Sequence, residues 1–569
     1  MNEKFEDDLN IESSRTKKSD KLSKKEKFVL YSAIFVFLVS LLGWAISFYL
    51  KSTVSVPAYG GEYVEGFLGK PLYINPILAQ TNEIDTALSS LIFSSLLKYD
   101  NNANIIKDLA EDYNISEDGK TYFFKIRQDV KWHDGTPLTA KDVLFTANLI
   151  KDASYKSSLR GNLQNTQVLL DGDYGIKFIL EEPQSPFINV LTFGILPMHI
   201  FEEIPADNFL LNDFNLKPIG SGPYAFSDFQ ADEEGNIIAY NLINNKNYYG
   251  QKPYFEKIVF NFYPDENALI NAYQKKEINA FGITSYEKIN QFKEKKGTQI
   301  FQVSTPRYFG VFFNQTKSIP LSDENVRKAL NYATNKKEII ENVFYGYANE
   351  THSPILNIFG DFSSSLETPA FNEEEAEKIL EEASWKKTED GFRKKDDVRL
   401  EINMLTTLWP ELDKTAEILK SQWESVGIKV NLTKLNIAEL QQNFIRPREY
   451  EAILFGQEYF GNDPDPYKFW HSSNKKDPGN NISLFEDEEV DKLLEEARKT
   501  TNREDRQKKY EEFEKKIASQ YPAVFLFSPN YVLIANNKIK GIEITATVNP
   551  AFHLNQIENW YKNTKREKK

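Results

Sequence analysis

Five histidines and no cysteine set the first limit on the chemistry open to this 569-residue chain. His133, His199, His352, His471 and His553 stand singly, with no His-x-His or HExxH spacing to build a zinc site. Without cysteine there is no thiolate nucleophile, no Cys-ligated metal and no disulfide framework. Neither a GxSxG nucleophile elbow nor a GxxxxGK[ST] phosphate loop occurs. Gly220-Ser221-Gly222-Pro223-Tyr224-Ala225 nominally fits a GxGxxG/A dinucleotide fingerprint. Pro218 and Pro223 flank it, however, and a strand-like run follows where the fingerprint needs a helix. Paired carboxylates carry little information among 83 Asp and Glu residues. His133 falls in a turn, where a structural role is expected. Nothing here supports an enzyme, and no cofactor or metal is expected.

One stretch has a composition suited to binding. In Leu454–Trp470 a strand, read over Glu451–Phe455, runs into a loop rich in Gly, Asn, Pro and aromatic residues. A strand end beside an aromatic, carboxylate-bearing loop suits an extended peptide: backbone hydrogen bonds supply affinity and side-chain pockets supply selectivity. The candidate ligand-binding residues are Gly456, Gln457, Glu458, Tyr459, Phe460 and Asp463. Against this stands a structural reading in which Asp463 and Asp465 shape the loop and Tyr459, Phe460 and Trp470 fill a core.

The chain is too long for one ordinary core, so two or three domains must position that loop. Its 41% hydrophobic and 27% charged content is globular. A net charge of −14 argues against nucleic acid as a partner and leaves cationic or neutral ligands open. Residues 1–27 form a polar, mixed-charge tail that is basic from Arg15 to Lys27, and Phe28–Leu50 then runs without a charge. A membrane span needs ~20 apolar residues, so 28–50 is predicted to be a signal anchor. Trp44, Phe48 and Tyr49 would lie at the interface. The basic flank puts the tail in the cytoplasm and everything after Lys51 outside it. The competing reading is a cleaved signal peptide, although its apolar region is usually only ~7–15 residues and Ala45-Ile46-Ser47 is a poor cleavage site.

Beyond a linker at 51–61, the densest local signal is Ser116–Val143. Asp118-Gly119 suits a two-residue hairpin loop, and Tyr122, Phe124 and Ile126 alternate as on a strand. Asp134-Gly135 makes a second turn, and Thr139 precedes Asp142 by the capping-box spacing at a helix start. Ile258–Tyr263, Glu266–Lys276 and Ala280–Ile283 read as strand, helix and strand. Later come helices capped by Ser322, Asn335 and Asn372, a second strand–helix–strand run over Leu400–Leu435, two charged helices whose Lys and Glu form a solvated face, and an apolar strand over Ala523–Asn536.

The spacing of Ser116, Asp118-Gly119, Tyr122, Phe124, Arg127, Val130, His133-Asp134-Gly135, Pro137, Thr139-Ala140 and Asp142-Val143 resembles the signature of the family 5 solute-binding proteins. These are the oligopeptide- and dipeptide-binding receptors of ABC importers. Tyr73-Ile74-Asn75-Pro76, the run Ile92–Asp100, Gly220-Ser221-Gly222-Pro223-Tyr224 and Asn245–Ile283 resemble the same family. The resemblance implies an α/β, two-lobed periplasmic-binding-protein fold, type II in its large three-domain variant, with a hinge cleft and here one N-terminal transmembrane helix. Lobe I would hold 62–310 with an inserted subdomain at about 90–210, lobe II would hold 311–522, and 523–569 would return to lobe I and end as a tail. The implied function is capture of a peptide or similar small solute for ABC permease subunits served by a separate ATPase. An anchored sensor on the same fold is the alternative. The family's Asp that holds the peptide ammonium falls at Phe460, which leaves Glu458 or Asp463 to supply a carboxylate. The cysteine that lipid-anchors many relatives is missing.

Overall fold

A computed structural model describes residues 23–363 and 369–568, so most of the expected cytoplasmic tail lies outside the described residues. Two compact units divide the chain, 1–58 with 564–569 and 59–563. In the first, the expected span is an α-helix over Lys24–Ser52 whose start is fixed by a Ser23–Glu26 capping box. It is long and apolar enough to cross a membrane. At ~1.5 Å per residue it exceeds a ~30 Å hydrocarbon core. Thr53–Ala58, in the expected linker, is a strand paired with Asn563–Lys568. Arg566 donates to the Thr53 hydroxyl Oγ1 (2.8 Å) and to the Leu50 carbonyl (2.9 Å), the second of which satisfies a carbonyl orphaned at the helix C-terminus.

Residues 59–563 are built on two mixed sheets. The first has seven strands in the order Thr298–Val303, Tyr531–Asn536, Ala280–Ile283, Glu62–Leu68, Lys257–Tyr263, Ile237–Asn244 and Tyr224–Ala231. Lys257–Tyr263 and Ala280–Ile283 both run parallel to Glu62–Leu68, with helix Glu266–Lys275 as the crossover between them. The second has six strands in the order Ala348–Glu350, Ala523–Pro529, Arg307–Phe313, Ala452–Glu458, Glu401–Thr407 and Lys429–Leu435. The predicted strand over Ala523–Asn536 is therefore two strands in different sheets. Pro529 has no N–H to extend the ladder. Asn530 makes the switch, with its carbonyl accepting from Tyr286 OH (2.9 Å) and its N–H donating to the Tyr347 carbonyl (3.0 Å).

A four-stranded antiparallel sheet, Ala110–Ile115, Thr121–Ile126, Gly175–Leu180 and Thr166–Leu170, carries the signature stretch. Tyr122, Phe124 and Ile126 are buried as their alternation predicts. The hairpin loop is longer than two residues: Ser116 N–H donates to the Thr121 carbonyl and Gly119 N–H to the Ser116 carbonyl. Gly119 takes the positive φ of 69° that this turn needs. Thr139 and Asp142 form the expected capping box of helix Ala140–Lys151. His133 is a staple. Its backbone N–H donates to the Gly220 carbonyl (2.8 Å), its Nδ1 accepts from Gly220 N–H (3.1 Å), and its Nε2 donates to the Gly222 carbonyl (3.2 Å). Burial holds its pKa down at about 4, so the ring is neutral. The Gly220–Tyr224 turn leads into a strand and not a helix. A Cβ on Gly220 would lie 1.9 Å from the Ile92 carbonyl oxygen.

Two local expectations are corrected. Ser322 ends a short helix, Ile319–Ser322, and Asp323 caps the next one through Asn325 N–H at 2.9 Å. The charged helices Glu488–Lys499 and Arg503–Gln520 are not wholly solvated, since Arg506 and Glu514 are buried.

A buried ion pair ties the chain's end to its first sheet. His553 and Glu65 are both 0% exposed, with Nε2 to Oε1 at 2.7 Å, and His553 Nδ1 donates to the Pro550 carbonyl (2.7 Å). Burial lowers the histidine's pKa, but Glu65 and the carbonyl outweigh it and hold it above the usual value. Breaking such a pair leaves an uncompensated charge. Glu65→Gln is expected to cost about 3–5 kcal/mol in urea unfolding at pH 6. A histidine whose pKa rises on folding adds stability that is complete below ~6.5 and lost as pH climbs through the folded value. The difference between wild type and variant should therefore shrink from pH 6 to pH 9. A pH-independent difference would rule out the charged pair.

Candidate ligand-binding site

Strand Ala452–Glu458 presents alternate residues to opposite faces. Gly456 pairs with Phe309 across the ladder, and a Cβ there would meet the Phe309 ring at 2.5 Å. Gln457 faces the other way and is buried, accepting from Tyr308 OH and donating to the Asn480 carbonyl (3.3 Å). Glu458 returns to the first face and pairs with Arg307 (Oε2 to Nε 3.1 Å). Tyr459 is buried, its OH donating to the Pro354 carbonyl (2.8 Å). Phe460 is 52% exposed.

The end of this strand borders a cavity of about 380 Å³ between the second sheet's loop and the first sheet's lobe. Such a volume is at the small end of the ~300–1,000 Å³ typical of small-molecule sites. Glu458, Tyr459 and Phe460 line it together; Gly456, Gln457 and Asp463 do not. Asp463 is buried against Arg506 (Oδ2 to Nη2 2.6 Å), and burial pushes its pKa up to about 6 despite that partner. Asp465 is likewise held by Arg498 at 2.6 Å.

The opposite wall comes from residues that sequence reasoning passed over. After helix Glu83–Ile92 the chain runs through Ser94, Ser95, Lys98 and Tyr99, all on the cavity, whereas their neighbours Leu96 and Leu97 pack the core as expected. The signal for them was the polar residues interrupting an apolar run. Lys98 lies between Asp108 (3.7 Å) and Glu558 (3.5 Å); burial opposes its charge, yet the two carboxylates hold its pKa well above normal. Asp108 also accepts from Tyr249 OH (2.7 Å) and Ser95 N–H (3.0 Å). Phe93, Phe193 and Phe552 add apolar wall. The cavity thus offers aromatic surface, serine hydroxyls and ion pairs that are already matched.

The sequence pattern of the bacterial extracellular solute-binding proteins, family 5 (middle), matches residues 104–481. The oligopeptide-binding protein AppA of Bacillus subtilis is 29% identical over 523 residues, covering 90% of this chain and 93% of its own. Among solved structures, AppA from B. subtilis in complex with a nonapeptide has a TM-score of 0.67 and 27% identity, over 89% of this chain and 99% of that one. NikZ from Campylobacter jejuni in complex with Ni(L-His) has a TM-score of 0.69 and 27% identity, over 88% of this chain and 99% of that one. With that match spanning more than half of its length on a two-sheet, two-lobed frame, the chain belongs to the family 5 extracellular solute-binding proteins.

Proposed function

We propose that this protein is the solute-capturing component of an ABC importer, held to the cytoplasmic membrane by its Lys24–Ser52 helix with residues 59–563 outside it. It delivers a peptide or similar small solute to permease subunits driven by a separate ATPase. The observation that carries this reading is the cavity between the lobes, walled on one side by Ser94–Tyr99 and on the other by Glu458–Phe460. A ligand touching both walls favours the closed arrangement, and only such differential contact can drive closure. The reading includes no reaction. The chain passes from the first sheet to the second between Val303 and Arg307 and returns at Asn530, which supports reading these two points as the joints between the lobes. The helix keeps the receptor concentrated near its transporter.

The peptide assignment takes support from AppA's nonapeptide, and the small cavity favours short ligands. Glu458 is the carboxylate we assign to a ligand ammonium: it lines the cavity from the second lobe, half-exposed beside Arg307, whereas Asp463 lies behind the wall against Arg506 and Phe460 offers only an apolar face. Native mass spectrometry of the full chain, purified without refolding, is expected to release short peptides of mixed sequence. A single non-peptide adduct would overturn the peptide reading and leave the family assignment untouched.

For a peptide so identified, Glu458→Gln should weaken binding by about 10-fold, the scale of one charge-assisted hydrogen bond, while an N-acetylated copy should lose nothing further. Isothermal titration of both peptides against both proteins tests this; equal losses would clear Glu458 of ammonium recognition.

A further inference from the structure

The lobes also meet along a seam outside the cavity. Asn189 lies in it at 1% exposure, on the 3-10 turn Ser185–Thr192. Its Oδ1 accepts two hydrogen bonds, from Tyr99 OH (3.0 Å) and from the backbone N–H of Asn462 (3.0 Å). Its Nδ2 donates to the Pro186 carbonyl (3.2 Å), which fixes the amide's orientation. Tyr99 is a cavity wall of the first lobe. Asn462 follows Gly461, which with Phe460 lines the cavity from the second lobe. Contact is tight enough that a Cβ on Gly461 would sit 2.3 Å from Asn189 Oδ1. Further along, Ser185 Oγ donates to the Thr500 carbonyl (2.6 Å), and a Cβ on Gly119 would lie 2.7 Å from Thr501 Cγ2. The buried Asp463–Arg506 pair stiffens the same loop from behind.

We propose that Asn189 is the latch of the closed receptor, a positioning residue that joins the two cavity walls through one amide oxygen. This rests on the two-lobed binding reading. Closing brings the Asn462 N–H onto an acceptor already oriented by Tyr99 and Pro186. Opening returns both groups to water, so the bond exists in one state only and biases the equilibrium toward it. A ligand that orders Tyr99 or Phe460 also orders the latch, which couples occupancy to closure without Asn189 touching the ligand.

The absence of cysteine makes a clean test possible, since labels can be placed without removing native thiols. Spin labels on the full chain at Asp173→Cys and Glu512→Cys, both exposed and one in each lobe, report the interlobe distance by double electron–electron resonance. Measurements are made with and without a random tetrapeptide library. Asn189→Ala is expected to reduce the short-distance population relative to the longer one by about 3- to 10-fold, the range set by one net hydrogen bond. Gly461→Ala, which wedges the seam from the opposite lobe, should shift it the same way. Two variants from opposite sides guard against a local folding defect in either, and circular dichroism confirms each fold. Identical distributions in wild type and both variants overturn the latch, as does a wild type with no short-distance population under either condition. A short population that the variants deplete but the library never increases leaves the latch standing and counts against the peptide ligand.

Discussion

The candidate cavity depends on a contact in its own wall: the packing of the Gly220–Tyr224 turn, whose Pro223 lines the cavity, against the end of helix Glu83–Ile92. The Ile92 carbonyl accepts from Gly222 N–H at 2.8 Å and excludes any Cβ at Gly220. His133 grips the other side of that turn with three hydrogen bonds and, being neutral, does so without the cost of a buried charge. Helix end, glycine turn and histidine therefore form one clamp. The chain leaving the clamp is cavity wall from Phe93 onward. Side chains that must meet a ligand reproducibly need this kind of support behind them.

The same economy appears where the lobes are joined. The changeovers lie between adjacent sheet strands, from Val303 to Arg307 and from Pro529 to Tyr531. Each connection is too short to act as a tether, so relative motion of the lobes must be absorbed by a few backbone dihedrals. Asn530, bonded to Tyr286 and Tyr347, anchors the second. A hinge of this kind leaves the sheets intact and concentrates the open–closed difference at the surfaces that meet on closure.

Much of this was legible in the sequence because it is local. The Thr139–Asp142 capping box, the alternation of Tyr122, Phe124 and Ile126 and the glycine turns depend on neighbours a few residues apart. Two failures were local as well. Ser322 and Asp323 are both competent caps, and propensity could not choose between them. The run Ala523–Asn536 is apolar on both sides of Ser528-Pro529-Asn530, and periodicity alone did not reveal that the two sides serve different sheets. The far wall of the cavity was illegible for another reason: Ser94–Tyr99 and Glu458–Phe460 are more than 350 residues apart in the chain, and only the fold brings them together. Asp463 shows the reverse hazard. It sits in the right loop for a ligand carboxylate, but its partner Arg506 comes from a helix that reads as a solvated face.

These charge pairings bear on what the cavity can select. Glu458 already faces Arg307, Lys98 already faces Asp108 and Glu558, and Asp463 and Asp465 are taken by arginines. A charged ligand group therefore competes with an existing partner and gains only the difference between two pairings. Phe460, half-exposed, gains whatever apolar area a ligand covers, at roughly 25 cal/mol per Å². Phenylalanine at this position brings no charge that would have to be satisfied and offers burial in its place. On the proposed binding reading, apolar contact at Phe460 adds to whatever Glu458 contributes, and the ion pairs hold the walls where that burial occurs.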